Sequence, residues 1–273
     1  MKISCLIFLF FLTHTLYAID PDHEYILTPD SVNLSYEELI ITTENGINLN
    51  TWIYEADKSK TKNTVLVLAY PDAGNMSYFV YYAGIMAKSG YTVVTFDYRG
   101  FGKSDDFNID RNALYYLEFV TDLTAVVNEI SHKFEGKKIG LWGMSMGTII
   151  TAKAYPLIHE KIDFIIGEGY VTDTSLIIDR YQAKNKTLIL PEPAENYRAS
   201  LQNMDVPVLI LAASEDTITT YQDAVNLKEK LGEKCQIIQY QAEHLQGFQY
   251  QYETLGFGGW YKNQVNAFLE SIS

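Results

Sequence analysis

Residues 138–154 read KIGLWGMSMGTIITAKA. This stretch decides the fold because it changes at Ser145 from a strand-like apolar run to a helix-like segment. The apolar run that ends at Trp142 is typical of a strand buried in a parallel sheet. The residues after Gly147 can continue as a helix. The Gly-x-Ser-x-Gly spacing then places Ser145 at the apex of a strand-to-helix turn, where the helix N-terminus faces its exposed hydroxyl. The stretch therefore predicts a nucleophilic serine.

Short apolar strands alternate with longer helical stretches on both sides of this motif. Six such strands are predicted at residues 64–70, 92–96, 139–142, 162–166, 206–212 and 236–240. The alternation indicates βαβ crossovers and so predicts an α/β fold, with a mainly parallel central sheet and helices on both faces. Before these strands, residues 36–42 and 47–54 flank Asn45-Gly46, which predicts a β-hairpin. The irregular segment at about 171–204 is predicted to be a short cap insertion over the strand ends.

Length and charge limit the classes of function. A chain of 273 residues with 47% hydrophobic residues is long enough for one large domain and its core. The net charge of −13 argues against nucleic acid or an anionic membrane surface as a partner, since phosphates would be repelled. A neutral or cationic small molecule fits this charge better.

The first 18 residues are expected to be a signal peptide. Lys2 precedes an apolar run, residues 3–12, that is too short to span a bilayer. Cleavage is expected after Ala18, although Leu16 is bulkier than the residue usually found there. One domain at 19–273 would remain, in a secreted or periplasmic protein. An uncleaved N-terminal anchor is the alternative. Cys235 would be the one cysteine left, so no internal disulfide is expected.

A serine hydroxyl needs a histidine to take its proton and a carboxylate to orient that histidine. Of the five histidines, only His244 directly follows the last predicted strand, so His244 is the candidate general base. The candidate acid is Asp216, which leaves the preceding strand, with its neighbour Glu215 second. The alternative is that Asp216 or Thr217 caps the next helix.

The oxyanion of an acyl intermediate needs two backbone donors. The N–H of Met146, at the helix N-terminus, is expected to supply one. Asp72 is expected to supply the other, since Pro71 has no N–H. An aromatic group follows Asp72 and could line an acyl pocket or belong to a helix core: Tyr78, Phe79, Tyr81 and Tyr82.

Four ordered pieces of this sequence resemble the α/β-hydrolase family, in its small esterase and serine-aminopeptidase-like branch. They are residues 70–75, 96–104, 143–147, and 214–218 followed by His244. The resemblance covers the chain from about residue 36 and implies the α/β-hydrolase fold. By it Ser145 is the nucleophile, Asp216 the acid, His244 the base, and Met146 and Asp72 the oxyanion donors.

One departure concerns the first oxyanion loop, where the family usually has His-Gly and this chain has Tyr70-Pro71. The carboxylate of Asp72 also brings negative charge near a site that should receive an anion. We expect catalysis to be weakened if this side chain turns inward, and little changed if it points to solvent.

These residues predict an exported serine hydrolase that cleaves carboxylic esters through an acyl-enzyme, with no metal or organic cofactor. The expected partner is a small ester or peptide substrate, with no nucleic acid and no stable membrane span after the signal peptide is removed. One alternative is a serine aminopeptidase or amidase, for which Glu168 is a candidate to hold the substrate amino group. The other is a non-catalytic binding protein on the same fold.

Overall fold

The computed structural model describes residues 17–272, so the predicted signal peptide lies almost entirely outside the described residues. The described strands are β1 (Asp20–Pro21), β2 (Tyr36–Thr42), β3 (Asn48–Tyr54), β4 (Thr64–Ala69), β5 (Ala73–Gly74), β6 (Thr92–Phe96), β7 (Lys138–Met144), β8 (Phe164–Glu168), β9 (Val208–Ala213) and β10 (Cys235–Tyr240). The described α-helices are α1 (Val80–Lys88), α2 (Leu117–Lys133), α3 (Met146–Ile158), α4 (Thr174–Gln182), α5 (Ala194–Gln202), α6 (Tyr221–Leu231), α7 (Tyr252–Leu255) and α8 (Gly259–Ser271).

Within residues 17–272, eight strands form one sheet in the order β10-β9-β8-β7-β4-β6-β3-β2. The strands from β10 to β6 pair in parallel, while β3 is antiparallel to both β6 and β2. Every residue of β4, β6, β8 and β9 is buried, as expected for strands covered on both faces. The predicted mainly parallel sheet and the β2–β3 hairpin are therefore confirmed.

Helices cover this sheet and bury its apolar side chains. On the last helix, α8, the ring of Tyr261 packs beside Trp142 of β7, and that of Phe268 packs beside Phe164 of β8. The amphipathic helix α2 packs against α3. No helix among residues 17–272 is both long and apolar enough to cross a membrane.

The segment predicted as a cap contains two of the described helices, α4 and α5. An ion pair joins this segment to helix α3. Lys153 Nζ on α3 lies 2.6 Å from Glu192 Oε1, and both side chains are largely buried. Tyr115 donates a hydrogen bond of 2.9 Å to the same carboxylate. The position of this segment is therefore held by polar contacts as well as by packing.

Candidate active site

The turn at Ser145 joins the end of β7 to the start of α3. Ser145 has φ 50° and ψ −116°, a backbone conformation that costs a non-glycine residue about 1–3 kcal/mol and is found mainly at functional sites. The turn packs closely on its neighbour, since a Cβ on Gly147 would lie 1.8 Å from the carbonyl oxygen of Ala69. A side chain at position 147 would therefore displace β4 or the turn, which explains the glycine.

The structure brings Ser145, His244 and Asp216 together. His244 Nε2 lies 3.0 Å from Ser145 Oγ, and His244 Nδ1 lies 2.6 Å from Asp216 Oδ2. The three residues follow β7, β9 and β10, whose carboxyl ends meet at one edge of the parallel sheet. This hydrogen-bonded order of hydroxyl, imidazole and carboxylate is one in which a serine can act as the nucleophile of acyl transfer.

Asp216 is held by the residues that follow it. Its Oδ1 accepts hydrogen bonds from the backbone N–H groups of Ile218 (2.7 Å) and Thr219 (2.9 Å). Its Oδ2 accepts from the Thr219 hydroxyl at 2.7 Å. Burial favours the neutral acid, but the hydrogen bonds from His244 and Thr219 outweigh it, and the pKa of Asp216 is lowered. Asp216 therefore stays ionised beside His244.

The alternatives to Asp216 lie elsewhere. Helix α6 is capped by Thr220, whose hydroxyl accepts from the Asp223 N–H, so Asp216 and Thr217 do not cap it. Glu215 is exposed and is not hydrogen-bonded to His244. The sequence analysis did not predict that Thr219 would hydrogen-bond to Asp216. The sequence offers little to indicate it beyond the position of a hydroxyl residue three residues after the candidate acid.

The ionisation of His244 follows from its neighbours. Burial disfavours the imidazolium, but the hydrogen bond to Asp216 and the charges of Asp216, Asp72 and Glu168 outweigh burial and raise the pKa of His244. Only the neutral imidazole can accept a proton from Ser145. The base is therefore lost as the pH falls through this raised pKa.

The two residues expected to supply the oxyanion donors, Met146 and Asp72, both line the cavity beside Ser145. Met146 is the first residue of α3, so its N–H has no partner within the helix. The N–H of Asp72 is within hydrogen-bonding reach of the residue's own carboxylate. That side chain is half-buried and lines the cavity beside Ser145, so it turns inward. Burial raises the pKa of Asp72 to about 6.

An N-terminal strap, residues 17–24, runs along the oxyanion loop and was not predicted. Its strand β1 pairs in parallel with β5, through bonds of 2.9 Å from Asp20 N–H to the Asp72 carbonyl and from Asp22 N–H to the Gly74 carbonyl. Ala18 and Ile19 are 4% and 0% exposed, so the bond at which cleavage is expected is buried in the folded protein. The strap therefore forms part of the site.

The cavity beside Ser145 is small, about 30 Å³, and most of the residues that line it are of apolar or aromatic types. The residues that line it are Ala18, Asp72, Leu114, Ser145, Met146, Ile149, Val171, Ile177, Tyr181 and Ile218. The suggestion that Tyr78 to Tyr82 line this cavity is wrong, because Phe79 stacks on Tyr70 and Tyr82 packs against Phe248 instead. The apolar part of the wall comes from α3, from the segment predicted as a cap, and from Ala18, Leu114 and Ile218.

Glu168, the candidate for holding a substrate amino group, does not line this cavity. Its side chain is fully buried at the end of β8, and its Oε1 accepts hydrogen bonds from Tyr240 and Gly247. The suggested amine-binding role is therefore wrong, since no substrate group reaches this carboxyl in the folded protein.

Comparison with known proteins agrees with this architecture. Residues 73–169, about a third of the chain, match the family model described as serine aminopeptidase, S33. An uncharacterized membrane protein of Saccharomyces cerevisiae is 32% identical over 126 residues, or 45% of this chain and 41% of that protein. A lysophosphatidylserine lipase of Danio rerio is 23% identical over 77% of this chain and 60% of its own. The chain thus spans about two fifths to three fifths of the length of these relatives.

A solved structure with a similar fold is an esterase of Pyrococcus furiosus. It superposes with a TM-score of 0.72 and 19% sequence identity, covering 93% of this chain and 97% of that one. At this identity the likeness concerns the fold, which it matches over nearly the whole of both chains.

Proposed function

We propose that this chain, an α/β-hydrolase by its fold and its family match, is an exported serine hydrolase that cleaves carboxylic esters through a covalent acyl-enzyme. The observation that carries the proposal is the continuous hydrogen-bonded series from Ser145 Oγ through His244 to Asp216. A binding protein on the same fold would not require this series or the strained backbone at Ser145.

Each residue has a definite part in the proposed reaction. His244 Nε2 takes the proton of the Ser145 hydroxyl as Oγ attacks the ester carbonyl, and the Asp216 carboxylate stabilises the resulting imidazolium. The N–H groups of Met146 and Asp72 donate to the oxyanion of the tetrahedral intermediate. His244 then gives its proton to the leaving alcohol, and later activates the water that releases the acid.

The function is tested with p-nitrophenyl esters of increasing acyl length and with a fluorophosphonate probe. We expect short acyl esters such as the acetate to be preferred, since the cavity of about 30 Å³ holds little more than one water-sized group. The rate should fall as the pH falls through the raised pKa of His244. Probe labelling should map to the peptide that contains Ser145. Absence of both turnover and labelling would contradict the proposal.

Export is proposed on the sequence of residues 1–18 alone. Because Ala18 and Ile19 are buried in the folded protein, cleavage between them would have to take place before the strap docks.

A serine aminopeptidase is the second candidate, and one observation favours it besides the description of the matching family. The carboxylate of Asp72 lines the cavity beside Ser145, where it could pair with a substrate ammonium. That pairing would also draw the carboxylate away from its own N–H and free this donor for the oxyanion.

Asp72→Asn distinguishes the two candidates. With neutral esters at pH 8 we expect kcat/KM to rise about tenfold, because a negative charge next to the developing oxyanion is removed. The gain should shrink below pH 6, where the wild-type carboxyl is itself protonated. With aminoacyl p-nitroanilides the same substitution should lower kcat/KM if Asp72 binds the ammonium. Asp20→Asn is the control, since this nearby carboxylate does not line the cavity.

A further inference from the structure

The carboxyl of Glu168 is buried beside the site, yet it touches neither the cavity nor the three residues proposed to react. It is 0% exposed. Its Oε1 accepts hydrogen bonds from the Tyr240 hydroxyl at 2.6 Å and from the Gly247 N–H at 2.7 Å. Its Oε2 has no partner among the described residues. A buried carboxyl is costly to a fold unless its contacts compensate for the lost hydration, so its presence calls for an explanation.

The two donors lie at opposite ends of one loop. Tyr240 is the last residue of β10, and Gly247 follows His244 by three positions, so the loop between them carries the proposed base. Leu245, within this loop, has φ 57° in the left-handed region. One carboxyl oxygen therefore fastens both ends of a short, locally strained segment.

The backbone of the same residue fastens the serine turn. The carbonyl oxygen of Glu168 accepts the Ser145 N–H at 3.0 Å. Glu168 thus joins the nucleophile through its main chain and the base through its side chain. The two segments that carry the proposed nucleophile and the proposed base are therefore both hydrogen-bonded to this one residue.

We propose that Glu168 is a positioning residue, whose side chain holds the His244 loop so that Nε2 stays within hydrogen-bonding distance of Ser145 Oγ. The proposal rests on the proposed function of Ser145 and His244. Near-attack geometry is sensitive to displacements of about 1 Å, which can cost about 100-fold in rate. Loss of the side chain should therefore act on kcat and leave KM nearly unchanged, because the cavity wall is not altered.

Two substitutions separate the acceptor from the charge. Glu168→Gln keeps an Oε1 acceptor for Tyr240 and Gly247, and we expect its kcat to remain within about threefold of the wild type. Glu168→Ala removes the acceptor, and we expect kcat per active site to fall about 100-fold. Tyr240→Phe loses one of the two donors but keeps the ring that packs against Tyr250 and Trp260, so a smaller loss is expected. This milder variant serves if the alanine variant does not fold.

The readouts exclude a merely structural effect. Active sites are counted by stoichiometric fluorophosphonate labelling, so misfolded protein does not lower the kcat per site. The full pH profile is recorded for each variant. The charged and titratable groups that face Glu168 among the described residues are His244, Asp216, Tyr82, Tyr240 and Tyr261. If Glu168 acts by positioning, the pH profile of kcat for Glu168→Gln should differ from that of the wild type only in its acid limb. The plateau of kcat at higher pH should be preserved.

Two outcomes would overturn the proposal: a wild-type kcat per site in both Glu168→Ala and Tyr240→Phe, or a Glu168→Gln plateau as low as that of the alanine variant. A separate readout applies if the wild type proves inactive, which would defeat the proposed function. The NMR resonance of the proton between His244 Nδ1 and Asp216 should then be present in wild type and Glu168→Gln, and weakened in Glu168→Ala and Tyr240→Phe. An unchanged resonance in all four proteins would refute positioning.

Discussion

Ser145→Ala is expected to lower the turnover of p-nitrophenyl acetate by about 10³- to 10⁶-fold while leaving the fold intact. The substitution removes Oγ, the atom proposed to form a covalent bond to the substrate. The residual rate then comes from the oxyanion donors and from substrate binding. KM should change little, because the cavity wall is preserved. The measurement is steady-state hydrolysis at pH 8 with fluorophosphonate labelling alongside.

The matched control is Ser131→Ala, which removes a hydroxyl of the same kind from α2, where Ser131 donates a hydrogen bond to the Asn128 carbonyl. We expect this variant to hydrolyse the ester at the wild-type rate and to be labelled normally. If Ser145→Ala retained turnover above a few per cent, or were still labelled by the probe, Ser145 would not be the nucleophile.

Asp216→Asn is expected to lower kcat by about 10³- to 10⁴-fold. The amide cannot stabilise the imidazolium, and its NH₂ group favours the tautomer of His244 in which Nε2 carries the proton and cannot accept one from Ser145. The pKa of His244 should also fall, since the hydrogen bond to Asp216 is the main interaction that raises it. The acid limb of the pH profile should therefore move to lower pH.

Glu215→Gln is the control for charge alone. It removes a carboxylate one position away that is exposed and bonded to the Gln241 side chain instead of His244. Activity within about twofold of the wild type is expected. If Glu215→Gln were the more damaging of the two changes, the assignment of the acid would be reversed.

Much of this site could be predicted because the elements that carry it have strong local patterns. The apolar run before Ser145 and the glycines around it predict the turn. The order of the later strands favours His244 as the base and narrows the acid to Asp216 or its neighbour Glu215. These predictions need only the chain order and the rule that the carboxyl ends of parallel strands meet at one edge.

The other features of the site depend on contacts between residues that are distant in the sequence. No regular spacing of residue types in the sequence marks these contacts. Strand β1 has two residues, too few for an alternating pattern, and it pairs with β5 more than 50 positions away. From the sequence alone, the side chain of Glu168 could point to solvent or to the cavity; in the structure its direction is set by hydrogen bonds from Tyr240 and Gly247. The cap helices supply Ile177 and Tyr181 to the cavity, and no motif marks either residue.

The N-terminal strap has a consequence for protein production, where the start of the expressed chain has to be chosen. A chain that begins at Glu24 would keep every strand of the large sheet but lose the donors to the carbonyls of Asp72 and Gly74, at a cost of about 1 kcal/mol for each bond. Cleavage after Ala18 would itself remove the Ala18 wall of the cavity, but it would leave the bonds of Asp20 and Asp22 in place. The shorter protein that begins at Glu24 could pass as folded by circular dichroism and still carry a loosened oxyanion loop, so the first residue of a recombinant form affects its activity.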